Sequence, residues 1–253
     1  MRDFRAFASE KANVSFASTQ KNMEGYTLER KGDDDYIGSK FKKAGGTWED
    51  PHFEQGADHP VVCVSLTDAE AFAAWLTSEE RAKGLIGPGD RYRLPTDAEW
   101  SAACGLGKYP WGSAWPPPAD AGNFCGSESK TGPANVASWN VIGGFQDAYE
   151  RTAPVAQFAE NKFGLYDMGG NVWEMCSSEY QNTMNSLEIR KHFATLDQNE
   201  KSSDGKANRV LRGGSWCDVG HTSLQSSYRY ANLPTFRFIF FGFRLVLEVG
   251  SGG

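Results

Sequence analysis

The sequence lacks several features that define common protein classes. It contains no run approaching the roughly 18 consecutive apolar residues of a membrane span. Its 26 basic residues are outnumbered by 32 acidic ones, and the net charge of −6 argues against a general phosphate-backbone binder. The first fourteen residues are charged and contain no apolar core, so they do not resemble a secretory signal. We therefore expect no membrane span and no nucleic-acid partner.

Cysteine is scarce and poorly spaced for a metal or disulfide framework. The five cysteines are Cys63, Cys104, Cys125, Cys176 and Cys217. Their number is odd and no CxxC pair occurs, which argues against a zinc ribbon or a thioredoxin-type site. The pattern favours free, buried thiols and folding in a reducing compartment.

Aromatic residues and glycine are abundant. The chain has 8 Trp, 9 Tyr and 16 Phe, together with 28 Gly and 11 Pro. This combination favours a loop-rich fold whose irregular segments are held by buried rings. With 253 residues and no internal repeat, we predict a single domain over 1–249 and a flexible tail over 250–253.

Two helices are predicted from local patterns. Apolar residues at helical spacing indicate a helix over 65–76, and the spacing of Thr96 and Glu99 predicts a capping box that begins a second helix ended by Gly105. A third, short helix is expected over 3–11. Strands are expected over 61–64, 209–212 and 242–247.

Four motifs occur in a specific order. They are Tyr92–Trp100, Tyr109–Gly112, Asn161–Glu174, and Arg212–Trp216 with Gly242–Arg244. Together they resemble the formylglycine-generating-enzyme, or sulfatase-modifying-factor, superfamily over most of the chain. The resemblance implies an α+β, C-type-lectin-like fold of the formylglycine-generating-enzyme type, loop-rich with short antiparallel strands and two or three helices. It also implies that Arg93, Arg212 and Arg244 form structural ion pairs rather than catalytic groups.

The resemblance does not extend to the copper site of the oxidases in this family. Those enzymes use two cysteines, a few residues apart, soon after the Gly-Gly-Ser-aromatic motif, and thiolate is a suitable soft ligand for copper. The aligned positions here are Asp218 and Ser223, and Cys217 lies one residue out of register. We therefore expect no copper and no catalytic residues.

The segment after Trp216 is more similar to the variable proteins of diversity-generating retroelements, which share this scaffold. In that family, errors at adenine scatter asparagine codons over fifteen residue types, which exclude Lys, Gln, Glu, Met and Trp. These five types make up 50 of the 253 residues, so about 5 are expected by chance over 217–241, yet only Gln225 occurs. The resemblance therefore implies a variable ligand-binding region at about 217–241.

The composition of this segment favours the same interpretation. Six of the fourteen residues over 228–241 are aromatic, and the pattern fits neither a helix nor a strand. We interpret the segment as an exposed face that binds varied, mainly protein, ligands, because aromatic side chains supply stiff contact area. Arg229, Pro234 and Arg237 resemble the fixed frame of the family repeat. The predicted ligand-binding residues are Cys217, Val219, His221, Tyr228, Tyr230, Asn232, Leu233, Phe236, Phe238, Ile239 and Phe240.

Three alternatives stay open at this stage. The rings could fill the core, the protein could be an oxidase-like enzyme of the formylglycine-generating type, or it could be a binding module of the same fold without diversification. The sequence identifies neither the ligand nor the oligomeric state. It also leaves the location open between the cytoplasm and a phage or cell surface reached through a removed N-terminal signal.

The resemblance further implies structural calcium, for which hard oxygen ligands are suitable. One site would use the side chains of Asn123 and Asp147 with the carbonyls of Phe124 and Tyr149. A second would use the side chains of Asn171 and Glu174 with the carbonyls of Gly169 and Val172. The alternative for the second site is that Asn171 and Glu174 simply bond loop backbone.

Overall fold

The computed structural model describes residues 2–9, 26–29, 40–43, 46–131, 140–181 and 207–250. They form a mixed α+β, C-type-lectin-like fold. The described helices are α1 (Arg2–Ser9), α2 (Leu66–Ala82), α3 (Asp97–Cys104) and α4 (Glu128–Thr131). The described strands are β1 (Tyr26–Glu29), β2 (Lys40–Lys43), β3 (Arg91–Arg93), β4 (Trp173–Glu179), β5 (Arg209–Arg212), β6 (Tyr230–Asn232), β7 (Phe241–Gly242) and β8 (Val246–Glu248). Within these residues, no helix is long and apolar enough to cross a membrane.

Helices α2 and α3 both begin at capping boxes. The Ser65 side chain accepts from the Asp68 amide while the Asp68 carboxylate accepts from the Ser65 amide, and α2 then continues past the predicted end to Ala82. Thr96 and Glu99 make the same exchange at the start of α3. This helix ends, as predicted, at Gly105, whose φ of 94° is accessible to glycine at little cost.

The strands form three sheets. The ribbons β1–β2 and β3–β8 are antiparallel, and the third sheet has the order β6-β5-β4-β7. Within it, β4 and β7 are parallel, with Trp173 opposite Phe241, whereas only antiparallel strands were expected. The strand predicted over 242–247 is divided, because residue 242 ends β7 and β8 begins only at Val246.

The prediction of a strand over residues 61–64 is wrong. The segment is buried but irregular, and Cys63 has a φ of 57°. Its amide donates to the carbonyl of Phe238 at 2.9 Å. The apolar run therefore marks a buried loop that packs against the C-terminal segment.

The main core lies between α1, α2 and the four-stranded sheet β6-β5-β4-β7, and it includes Trp173, Trp216 and Phe241. All five cysteines are buried thiols outside any disulfide, as the sequence predicted. The end of the predicted first helix at residues 10–11 and the tail residues 251–253 lie outside the described residues.

Candidate functional site

Asp218 and Ser223 stand at the two positions where the family resemblance leads us to expect the copper-binding thiols of the oxidases, and both side chains hold a tight turn. The buried Asp218 carboxylate accepts from the Ser215 amide at 2.9 Å and from the Ser215 hydroxyl at 2.6 Å. The Ser223 hydroxyl donates to the Gly220 carbonyl at 3.2 Å. Across the described ranges, no group of three or more histidine, cysteine, aspartate and glutamate side chains is placed to hold a metal ion.

A partly buried cation lies beside this turn. The guanidinium of Arg151 lies 4.6 Å from the centroid of the Trp216 ring, and burial lowers the pKa of this arginine. The Phe53 ring meets the same tryptophan edge-on, with centroids 6.1 Å apart. The turn is therefore enclosed by apolar and cation–π packing.

Six of the eleven predicted ligand-binding residues are buried. They are Cys217, Tyr230, Asn232, Phe238, Ile239 and Phe240. The Tyr230 ring packs on Trp173, with centroids 5.4 Å apart, and the Phe240 carbonyl accepts from the Trp173 amide at 2.9 Å. The prediction that these six lie on an exposed face is wrong, because five of them fill the core and the sixth, Asn232, is buried in β6.

The other five lie at or near the surface. His221 is exposed, and Val219, Tyr228, Leu233 and Phe236 are partly buried. The His221 ring lies on Trp115 with centroids 3.8 Å apart, and its Nδ1 is 3.2 Å from the Tyr109 hydroxyl. The loop containing Tyr109 and Trp115 therefore contacts the C-terminal segment. The composition of the segment alone does not predict this contact.

The three residues of the proposed fixed frame hold the segment to the two capped helices. Arg237 pairs with Asp68 in α2, and Arg229 pairs with Asp97, the first residue of α3. The Pro234 carbonyl accepts from the Leu66 amide at 3.1 Å. These contacts explain why a segment with so little regular structure has a defined path.

The three motif arginines form structural ion pairs, as expected. Arg93 pairs with Glu99 at 2.7 Å, and Arg212 lies 3.3 Å from Asp97. Arg244 pairs with Glu174 at 2.5 Å.

The first predicted calcium set includes a buried polar atom without a partner and a carboxylate bonded to the same loop. Asn123 is fully buried, and its Oδ1 has no hydrogen-bond partner among the described residues. The Asp147 carboxylate accepts from the amides of Phe124 and Tyr149 at 2.7 and 2.8 Å. Burial raises the pKa of Asp147 to about 7, and the nearby Glu128 carboxylate adds to this rise. Glu128, which the sequence analysis missed, thus places a second, buried carboxylate near Asp147.

The second predicted calcium set does not offer free ligands. The Asn171 side chain exchanges two hydrogen bonds with the Ala153 backbone, at 3.0 and 3.2 Å. Both Glu174 oxygens accept from Arg244, and one also accepts from the Trp100 indole at 2.6 Å. Both side chains have structural partners, so the described geometry does not fit a cation held by this set.

Two cavities lie outside the predicted ligand-binding segment, residues 217–241. One, of about 300 Å³, is lined by Asp167, Glu174 and Arg244 among others. Asp167 was also missed, although it lies in the same motif as Glu174; its Oδ1 is buried without a hydrogen-bond partner among the described residues, and burial raises its pKa. The second cavity, of about 480 Å³, lies between Gly105–Gly112 and Ala159–Lys162.

Comparisons with known proteins identify the scaffold. Residues 1–249 match the family described as "Sulfatase-modifying factor enzyme 1-like domain". The chain is 33% identical to the formylglycine-generating enzyme of Thermomonospora curvata, over 76% of this chain and 56% of that protein. It is 30% identical to the inactive C-alpha-formylglycine-generating enzyme 2 of Bos taurus, over 66% of this chain and 48% of that protein. The relatives thus include an enzyme and a protein named as inactive, and the chain spans about half of their length.

A solved structure of the same fold is Treponema denticola variable protein 1. It superposes with a TM-score of 0.52 and 22% identity, over 76% of this chain and 72% of that one. At this identity the likeness shows a shared fold.

Proposed function

Since the chain belongs to the sulfatase-modifying factor enzyme 1-like domain family, we propose that it is a non-enzymatic ligand-binding protein. Its C-terminal segment, residues 217–241, contacts varied protein targets through surface residues that a retroelement diversifies. The rest of the domain holds the backbone of this segment in place.

The main support for this proposal is the absence of cysteine at positions 218 and 223, which hold Asp and Ser. Copper-dependent oxidases of the family need a thiol at each, whereas here Asp218 is buried against Ser215 and Ser223 bonds the Gly220 carbonyl. A buried carboxylate with two short hydrogen bonds is a structural element of the turn. The family includes proteins named as inactive, which supports a role other than oxidation.

The burial pattern defines which residues would recognise ligand. Variation at a buried aromatic position leaves a cavity or a clash, so the buried six are better suited to a constant frame. The remaining five positions are exposed or partly exposed and would contact the ligand. We call them the contact set: Val219, His221, Tyr228, Leu233 and Phe236. The likeness of the fold to a protein named as variable supports this use of the scaffold.

Structural calcium forms part of the proposal at the first predicted set only. The Asn123 Oδ1 has no hydrogen-bond partner among the described residues, the Asp147 carboxylate bonds the amide of the next residue, Phe124, and the buried Glu128 carboxylate lies near Asp147. These three groups offer the hard oxygen ligands that calcium prefers. Calcium held there would neutralise the two carboxylates and fix the loop that begins at Asn123. It would have a structural role.

Two displayed libraries test the proposal. One randomises the five exposed or partly exposed positions of the contact set, and the matched control randomises five of the buried six. We expect most members of the first library to fold and panning on an unrelated protein such as lysozyme to yield binders, while most members of the control unfold. A surface library that folds yet yields no binder to a panel of proteins would contradict the binding role.

The enzymatic alternative has its own test. The protein is loaded with copper(I) and incubated with a cysteine-containing peptide in oxygen, and the peptide mass is followed. We expect no conversion of cysteine to formylglycine, and steady conversion would replace the proposal with an oxidase.

A further inference from the structure

Two neighbouring turns each present an apolar side chain to solvent at the edge of the larger cavity. Leu106 is 100% exposed and Phe163 is 54% exposed. They are two of seven large hydrophobic side chains that are exposed among the described residues. Single exposed hydrophobic residues are common, but two on adjacent turns place apolar area side by side at the surface.

The first turn has a backbone that fixes Leu106 outward. Gly105 adopts a φ of 94°, and a Cβ at Gly107 would lie 2.7 Å from the Tyr109 carbonyl oxygen. Both flanking positions therefore require glycine, and the leucine between them is fully exposed.

The second turn is held by Asn161. Its side-chain oxygen accepts from the amides of Phe163 and Leu165, at 2.9 and 3.2 Å, and its side-chain nitrogen donates to the Ala103 carbonyl at 2.7 Å. The turn is thus tied to the last residues of α3. A Cβ at Gly105 would lie 4.0 Å from the Phe163 ring, so the two turns are in close proximity.

The cavity beside these turns has an excess of exposed acidic groups. Asp120 and Glu160 are both exposed in its lining, and the Ala159 amide donates to the Asp120 carbonyl, which brings their two loops together. The exposed Lys162 is the one lysine in the same lining, and its Nζ lies 4.8 Å from the Phe163 ring centroid. A surface that combines apolar side chains with carboxylates is complementary to an apolar segment with basic residues.

We propose that the turns 103–107 and 161–165, with the cavity between them, dock a segment of another protein in which apolar side chains alternate with lysine or arginine. A second copy of this chain is a poorer occupant, because the chain has a net charge of −6 and the cavity rim is itself acidic. The surface lies outside residues 217–241, so its partner would be constant even where the proposed ligand varies. The proposal does not depend on diversification.

Short fluorescent peptides test this surface by anisotropy with the full chain. The probe alternates leucine and phenylalanine with lysine, and matched controls replace lysine by glutamate or the apolar residues by serine. We expect binding of the basic apolar probe, weakened about tenfold by Leu106→Ser and by Phe163→Ser. Leu85→Ser, at a leucine that is 68% exposed elsewhere, is the matched variant and should leave binding unchanged.

A gain-of-function variant keeps the test independent of any effect on folding. Lys162→Glu removes the one lysine from the cavity and should tighten the basic probe about threefold. Equal binding of the acidic probe, no binding of any probe, or no change in the Leu106 and Phe163 variants would overturn the proposal. A dimer in sedimentation velocity that these two variants dissociate would also overturn it, in favour of self-association.

Discussion

Arg237 and Asp68 form a buried ion pair that joins the C-terminal segment to the first turn of α2, with Nη2 2.8 Å from Oδ2. Their side chains are only 12% and 3% exposed. The same carboxylate closes the capping box with Ser65, so one side chain fixes both the helix start and the path of the segment.

We expect Arg237→Met to destabilise the protein by about 3–5 kcal/mol, because it leaves a buried carboxylate without its partner. Urea denaturation measures the loss, and the double variant Asp68→Asn with Arg237→Met should recover much of it. A loss below about 1 kcal/mol in the single variant would show that the pair does not hold the segment.

Phe238 and Phe236 provide a matched pair that tests the burial of the segment. Phe238 is 2% exposed, whereas Phe236 is partly exposed two residues earlier. Phe238→Ala should cost about 3–5 kcal/mol and Phe236→Ala about 1 kcal/mol or less, as measured by chemical denaturation. Equal costs would place both rings in the same environment and contradict the division between frame and contact set.

Glu99 should stabilise the protein less as the pH falls. Hydrogen bonds from Arg93, and then from the Thr96 amide, lower the pKa of Glu99 from 4.5 to about 2. Because the pKa is lower in the folded state than in the unfolded state, ionised Glu99 stabilises the fold. This stabilisation is complete above the unfolded-state pKa of 4.5 and is lost as the pH falls from there to about 2. The effect is modest because the carboxylate is 41% exposed.

The measurement compares the wild type with Glu99→Gln by thermal unfolding at several pH values. The difference in Tm should be largest near neutral pH and should shrink across this acid window. A difference that is constant over the whole range would mean that the charge of Glu99 plays no part.

Calcium should raise the Tm through the first predicted set. A cation that binds only the folded state at a free concentration of about 100 Kd adds about 2.7 kcal/mol. Asp147→Asn should abolish this effect, while Asp120→Asn, at an exposed carboxylate elsewhere, should leave it intact. Equal stabilisation of both variants by calcium would exclude the proposed site.

The helix starts were predictable because their signals are local. The capping partners Ser65 and Asp68, and Thr96 and Glu99, lie three residues apart, so the sequence alone places them together. The ordered family motifs likewise identified the fold and the structural ion pairs of Arg212 and Arg244.

The burial of the C-terminal rings was not predictable in the same way. Periodicity distinguishes inside from outside only within a helix or strand, and most of 217–241 is neither. Phe238 and Phe240 are buried through contacts with Cys63 and Trp173, which are distant in sequence. Glu128 was missed for the same reason, because its proximity to Asp147 arises only in the folded chain.

Deep sequencing of this locus in a population grown from one cell tests the central claim most directly. The account predicts substitutions at adenine-derived codons, concentrated at Val219, His221, Tyr228, Leu233 and Phe236. The frame residues Arg229, Pro234 and Arg237 and the buried six should stay constant. A segment as invariant as the rest of the gene, or substitutions spread equally over the buried positions, would contradict it.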